Sequence, residues 1–389
     1  MVLKRSDIQK IASAYDPKKI TIGVLGSHSA EEVGMAAKAF GFKTVVICQK
    51  GREDLYTKYS KHLFDVQITL DKFSDLANKE VQERLIEQNT VFIPNRSFSV
   101  YLGYDKIENE FRVPLYGTRG ILRSEERSEA KNQYWLLEKA GIKIPKKFSK
   151  PDQIDRMSIV KVQQKARPLA RAFFYAKSAE EYHERSEAML KQGLIDAEAL
   201  KNARIEEYVL GQKFNANFQS WALKQDFDNF DFLGFDDRKQ TNLHGVLDLP
   251  AKEQLLLETT VTNEEVGHYG LTMLESKKPF VYRAAEGFIQ VCKKEYPPGI
   301  IGPFALQGAL AQNPDDPKKE LAFYVFDLSP RVPGSPSLGP TSPEMRRLSL
   351  KYSKTLRKYN MDRIESQMDL SILEIKEAST QGKLEEVVT

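Results

Sequence analysis

Four short apolar runs punctuate the first hundred residues: Ile20–Leu25, Thr44–Cys48, Gln67–Thr69 and Val91–Pro94. Between them stand two segments with helical patterning, Ala30–Phe40 and Asn78–Gln88. Strands buried on both faces read as continuous apolar runs, and parallel pairing needs helical crossovers. The pattern therefore predicts a βαβ series forming a parallel sheet. Ligands of such sheets bind at the C-terminal strand ends. The polar segments "LGSHS" and "IPNRSFS" fall at two of those ends.

The stretch "VLGSHSAEEVG", Val24–Gly34, reads as strand, tight turn and helix N-terminus. Free backbone N–H groups and the helix dipole suit such a turn to an anion. A dinucleotide site needs three glycines at fixed spacing, and His28 stands where the second belongs. No clear ribose-binding acid follows Cys48 either, which argues against a dehydrogenase.

Beyond Tyr116–Arg123, where a boundary is expected, the pattern changes. A helix is expected at Ser124–Ala140, then a linker or strand start at "GIKIPKKF". Ser158–Val162 ("SIVKV") reads as a buried strand, with Arg171–Ser178 ("RAFFYAKS") as its hairpin partner and a helix at Ala179–Gln192. "FNANFQSWAL" and "FDNFDFLGFDDR" alternate as antiparallel strands do. The last strong strands are Pro303–Leu310 and Leu321–Leu328. "SPRVPGSPSLGPTSPEM" carries five prolines and reads as a loop or lid. "RRLSLKYSKTLRKY" is basic and helical in pattern, and Leu370–Thr389 reads as one more helix with a frayed tail.

Several polar residues stand where chemistry could use them, each with a plainer alternative. Gln307 and Asp327 close two adjacent apolar strands. Two oxygen ligands plus phosphates suit Mg²⁺; otherwise Asp327 caps a turn or pairs with Arg331. Lys161, alone on a β-branched strand, is either a phosphate-binding point charge or an edge lysine with its head in water. Glu206 and Glu207 either accept ribose hydroxyls or are surface acids. Lys50 and Arg52 in "KGRE" either meet phosphate or are solvated. His28 is either a structural histidine or a ligand-facing one. The five histidines lack metal-ligand spacing, and no Walker loop, kinase signature or G-x-S-x-G elbow occurs.

With 389 residues, two or three domains are expected. No apolar run reaches 18 residues, and the first fifteen residues carry no apolar leader, so a soluble cytoplasmic protein without membrane contact is expected. Cys48 and Cys292 lie in apolar runs and read as buried free thiols. A net charge of +4 suits a phosphorylated small molecule better than nucleic acid, although Arg346–Lys358 could bind RNA.

Taken in order, "TIGVLGSHSA", "CQKGRE", "FIPNRSF", "VPLYGTRGILRSEE", "LLEKAGIKIPKKF", "IVKV", "IEEYVLGQKFN", "YPPGIIGPFALQG" and "FDLSPRVPG" span nearly the whole chain. This set resembles the archaeal formate-dependent synthetases that make 5-formaminoimidazole-4-carboxamide ribotide, ATP-grasp enzymes of purine (IMP) synthesis. The resemblance implies an α/β and α+β chain: a Rossmann-like pre-ATP-grasp domain at 1–122, then an ATP-grasp N-lobe at 123–210 and a C-lobe with a lid at 211–389. It implies an ATP-dependent C–N ligase acting on formate and 5-aminoimidazole-4-carboxamide ribotide (AICAR) through formyl phosphate, with ATP and Mg²⁺ or Mn²⁺, as a homo-oligomer. His28, Ser97 and His268 match positions that contact the ribotide, with Lys50 and Arg52 as further substrate contacts. Lys161, Arg167, Arg171, Glu206, Glu207 and Val209 match the ATP site, Gln307 and Asp327 the metal positions, and Arg331 and Arg167 the catalytic charges. A diverged member using another acid, or without turnover, is the alternative.

Three departures stand out. The family's glycine-rich A-R-G-G-R-G-Y-F loop reads "ARPLARAFF" at Ala166–Phe174, and glycine loops are what let backbone N–H groups close on phosphate. Asp327 replaces a longer Glu. His268 replaces an Asn.

Overall fold

The computed structural model describes residues 3–126, 128–163, 171–223, 229–257, 265–316, 318, 320–334, 339 and 342–389. Its strands form three sheets.

The first sheet holds β1 (Thr21–Leu25), β2 (Lys43–Gln49), β3 (Val66–Leu70) and β4 (Thr90–Ile93), all parallel, in the order β3-β2-β1-β4. Both central strands are buried along almost their whole length, which is why they read as unbroken apolar runs. Helices α1 (Arg5–Ser13), α2 (Ala30–Ala39), α3 (Lys79–Glu87), α4 (Arg96–Leu102) and α5 (Tyr104–Asn109) accompany it.

The expected helix over Ser124–Ala140 is mostly absent. Residues Arg119–Glu125 form 3-10 turns, and α6 spans only Gln133–Lys139. The Asn132 side chain accepts hydrogen bonds from the N–H groups of Tyr134 and Trp135, which fixes the helix start there. Upstream, Arg123 reaches Asp105 and Glu108, while Glu125 turns inward to pair with arginines.

The second sheet orders β5 (Lys147–Phe148), β8 (Arg204–Glu207), β6 (Ser158–Gln163) and β7 (Arg171–Ala176), all antiparallel. The hairpin expected around Lys161 is present. Helices α7 (Ala179–Lys191) and α8 (Ala197–Lys201) lie between β7 and β8 in the chain.

The third sheet is antiparallel, with order β11-β10-β9-β12-β13. Its strands are β9 (Gly211–Ser220), β10 (Phe230–Gln240), β11 (Glu265–Leu271), β12 (Gly302–Gln312) and β13 (Leu321–Ser329). α9 (Thr241–Leu247) and α10 (Ala251–Gln254) connect β10 towards β11, and α11 (Lys278–Glu295) covers one face. That face is packed with phenylalanines: Phe218 stacks on Phe304 with centroids 5.0 Å apart, and Phe288 of α11 packs on Phe304 at a tilt of 39°.

α12 (Pro343–Lys351), α13 (Ser353–Arg357) and α14 (Met368–Gln381) follow. The basic segment is only partly free. Its Leu348 and Leu356 are buried, Lys351 pairs with Asp231, Lys358 pairs with Glu377, and Arg347 donates to the Phe232 carbonyl. α14 returns to pack on α2 and joins the core of the first sheet. The end is docked rather than frayed. Gly382 turns the chain in the left-handed region (φ 67°), Val387 and Val388 are buried, and Thr389 exchanges two backbone hydrogen bonds with Leu115. Arg5 also donates to the carbonyls of Glu386 and Val388.

Cys48 and Cys292 are free and buried, and burial pushes the Cys48 thiol up to about 12. Among the described residues, no helix is long and apolar enough to cross a membrane.

Candidate active site

The turn after β1, the start of α4 and the ends of β12 and β13 enclose one cavity of about 440 Å³. Its lining brings together His28, Ser97, Arg52, His268, Gln307, Asp327 and Arg331, which are spread over 304 positions of chain, from 28 to 331. Lys50 is not among them. Its side chain is exposed, and its backbone N–H bonds to the Leu70 carbonyl.

The turn is held by several contacts. Ser97 Oγ and Ser27 Oγ are 2.7 Å apart, and the Asn95 amide donates to the carbonyls of Leu25 and His28. Gly334 lies directly over the His28 ring; a Cβ there would fall 1.8 Å from His28 Nε2. Ser29 Oγ donates to Pro333 O at 3.1 Å, which ties the same loop to the turn. Burial and the nearby Arg331 hold the His28 imidazole below its ordinary pKa, so it is neutral at pH 7.

Gln307 and Asp327 face each other in register across β12 and β13. The register slips immediately afterwards, at Gly308, where a Cβ would fall 2.0 Å from the Tyr324 carbonyl. Only glycine fits that bulge, which re-aims the strand end. Among the described residues no ion pair joins Asp327 to Arg331, although the charge of one reaches the other. The Asp327 side chain lies 3.9 Å from Arg238 Nη2, and the same guanidinium donates to Gln307 Oε1. Arg331 instead pairs with Glu125 Oε1 at 3.0 Å, and Glu125 also pairs with Arg96. Burial raises the Glu125 carboxyl, with Arg331 and Arg96 opposing that rise.

His268 lines the cavity, but carboxylates hold both its nitrogens: Asp236 Oδ1 at 2.5 Å from Nδ1 and Glu265 Oε1 at 2.8 Å from Nε2. Burial disfavours the imidazolium, yet the two carboxylates outweigh it and lift the pKa to about 9. Neither nitrogen is left for a ligand.

The residues expected to meet ATP lie elsewhere, mostly on the second sheet. Lys161 Nζ lies 2.5 Å from Glu206 Oε2, and Tyr134 OH donates to the same carboxylate. Glu207 accepts from the Lys146 N–H and lies 3.6 Å from Arg156. Both acids are buried, so they are not surface acids, and Val209 is buried beside β12 and β13. Arg167 lies outside the described residues. Arg171 is described only through its backbone, in β7.

The sequence reading missed Arg96, Glu125, Arg238, Glu265 and Asp236. One signal was available. Asp236, Asn215 and Asn217 alternate on paired apolar strands, and polar groups on an inward strand face need partners. Among the described residues, no three His, Cys, Asp or Glu side chains group as a metal site.

Two family models match, a protein of unknown function (DUF1246) over residues 22–148 and a domain of unknown function (DUF1297) over 181–389. The 5-formaminoimidazole-4-carboxamide-1-(beta)-D-ribofuranosyl 5'-monophosphate synthetase of Methanocaldococcus jannaschii is 37% identical over 86% of this chain and 88% of its own. The Methanopyrus kandleri protein of the same name matches at the same identity and coverage. Among solved structures, the IMP biosynthesis protein PurP from Thermococcus kodakaraensis superposes with a TM-score of 0.64 at 20% identity, over 95% of this chain and all of its own. N5-carboxyaminoimidazole synthetase from Staphylococcus aureus gives 0.52 at 14% identity, over 92% and 77%. The fold is thus an ATP-grasp fold preceded by a Rossmann-like sheet. By sequence, the chain belongs to the family of the 5-formaminoimidazole-4-carboxamide-1-(beta)-D-ribofuranosyl 5'-monophosphate synthetases.

Proposed function

We propose that this chain is an ATP- and formate-dependent ligase that formylates AICAR in IMP biosynthesis. The observation that carries the reading is the convergence of His28, Ser97, Arg331, Gln307 and Asp327 on one cavity, in a member of this family. We divide the chain near 122 and 210, which separates the three sheets, and place the enzyme in the cytoplasm as a homo-oligomer.

In this reading a formate oxygen attacks the γ-phosphorus of ATP and the bond to ADP breaks. The AICAR amine then attacks the formyl carbon, the C–O bond breaks, and phosphate departs with the amine proton. Formate needs this activation because its own oxygen is a poor leaving group. Positioning and charge neutralisation do most of the work in such transfers. His28 and Ser97 hold the ribotide. Neutral His28 can donate through one nitrogen and accept through the other. Arg52, at the mouth beside Tyr101, meets the ribotide phosphate. Arg331 and Arg167 offset the charge of the transferred phosphoryl group. Lys161, Arg171, Glu206, Glu207 and Val209 hold ATP, with Lys161 exchanging its carboxylate for phosphate.

The residues present fit a divalent ion. Gln307 and Asp327 offer two hard oxygen donors on facing strands, and a guanidinium already stands against both as a cation. Gln307 and Asp327 would hold Mg²⁺ or Mn²⁺ together with the substrate phosphates. When bound, the ion neutralises phosphate charge.

The test is ADP release from Mg·ATP with formate alone, AICAR alone and both. Rapid release only with both, with formylated product, is expected. A folded protein that binds ATP or AICAR without turning over, or that turns over with another acid, overturns the assignment in favour of a diverged member.

A further inference from the structure

The residue on the β11 side of the cavity that is built to meet an anion is Arg238, on β10. Its guanidinium is backed by a chain of contacts that runs from buried Asp236 out to the half-exposed Glu265. Asp236, fully buried two positions earlier, accepts from the amides of Asn215 at 2.7 Å and Asn217 at 2.5 Å. It also holds His268 Nδ1 at 2.5 Å. His268 Nε2 holds Glu265 at 2.8 Å, and Glu265 Oε2 lies 3.2 Å from Arg238 Nε. With this ion pair on its Nε side, Arg238 donates through Nη2 to Gln307 Oε1, and the same nitrogen lies 3.9 Å from Asp327.

We propose that Arg238 is an anion-binding residue of this site, held in place by Asp236, His268 and Glu265 as positioning residues. In the free protein its guanidinium donates to Gln307 Oε1 and stands 3.9 Å from Asp327. When a phosphate group enters, the guanidinium turns its fork to the phosphate and withdraws its charge from the oxygens that would hold a divalent ion. This corrects the part expected of His268, whose nitrogens are both engaged, and gives that part to the arginine it supports. The identity of the anion, the phosphoryl group of ATP or of the acyl phosphate, rests on the ligase reading; the anion site itself does not.

The geometry predicts changes of opposite sign. Arg238→Ala removes a positive charge from beside the two oxygen donors, so Mn²⁺ binding to the nucleotide-free protein, followed by electron paramagnetic resonance, tightens about tenfold. Inorganic pyrophosphate binding in EDTA, followed by calorimetry, weakens about tenfold. Arg238→Lys keeps the charge without the fork and recovers part of the pyrophosphate affinity. His268→Phe cuts the chain of support and shifts both constants the same way as Arg238→Ala, by a smaller factor. A merely structural role weakens both ligands together, and that result overturns the proposal; so do two unchanged constants. Neither measurement needs turnover. A protein inactive with formate and AICAR that still shows the opposite shifts contradicts the ligase reading and leaves this one standing.

Discussion

The cavity beside the first sheet and the proposed nucleotide side on the second sheet use charge in different ways. Four guanidiniums line the cavity, from Arg52, Arg96, Arg238 and Arg331, against three carboxylates, Glu125, Glu265 and Asp327. Glu125 pairs with Arg96 and Arg331, and Glu265 with Arg238, so one positive charge is left over along the cavity wall. On the second sheet the charges face one another: Lys161 meets Glu206, and Arg156 meets Glu207. The first arrangement is set for an incoming anion. The second satisfies itself and must exchange partners before it can bind phosphate. In the proposed reading the surplus positive charge lies at the reacting end of the site, and at the nucleotide end Lys161 has to leave Glu206 to meet phosphate.

The comparison breaks most readily at Asp327. Asp327→Asn removes the carboxylate facing Gln307, and kcat is expected to fall about 10³-fold. The melting temperature moves little, because the residue is partly exposed at a strand end. Full activity in steady-state ADP release would remove Asp327 from the metal site.

On the nucleotide side, Lys161→Met leaves a buried carboxylate without its ammonium partner. Breaking such a pair costs about 3 kcal/mol or more of stability. Pairing it with Glu206→Gln restores most of that stability in denaturant titrations but not nucleotide affinity. If the double variant binds ATP normally, Lys161 is a structural group only.

His28→Ala sharpens the contrast further. Loss of a hydrogen-bonding group in the cavity lowers AICAR affinity about tenfold, or about 1.4 kcal/mol, while ATP affinity stays within about twofold. Equal losses by calorimetry would contradict the separation of the two regions.

The smallest effect concerns pH. The pKa of His268 is about 9 in the fold, above the ordinary 6.5. The stability it lends is complete below about pH 6.5 and is lost as pH rises through about 9. The melting temperature is expected to drop by about 3 °C between pH 7 and 9. His268→Phe should flatten that part of the profile, and an unchanged slope would show that other groups set it.

Much of this was legible in the sequence. Short apolar runs with helical spacers announced the parallel sheet, because strands buried on both faces leave no polar alternation. Gln307 and Asp327 stood out as oxygen donors ending apolar strands. Glu125 did not, because "RSEERSE" looks like a solvated charge run until the fold turns one carboxylate onto two arginines from distant elements. Arg238 and Glu265 carry no motif, and only the pairing of β10 with β11 sets them against each other. The docked end was hidden as well, since Val388 and Thr389 pair with Tyr116 and Leu115, more than 250 positions earlier in the chain. Long-range pairing of this kind leaves no local pattern.

The central claim is that formate is activated as an acyl phosphate in this cavity. The most direct test supplies [¹⁸O]formate with ATP and AICAR and examines the inorganic phosphate by mass spectrometry. Attack of a formate oxygen on the γ-phosphorus predicts one ¹⁸O atom in each phosphate released. Phosphate without label, formed alongside formylated product, would contradict the account.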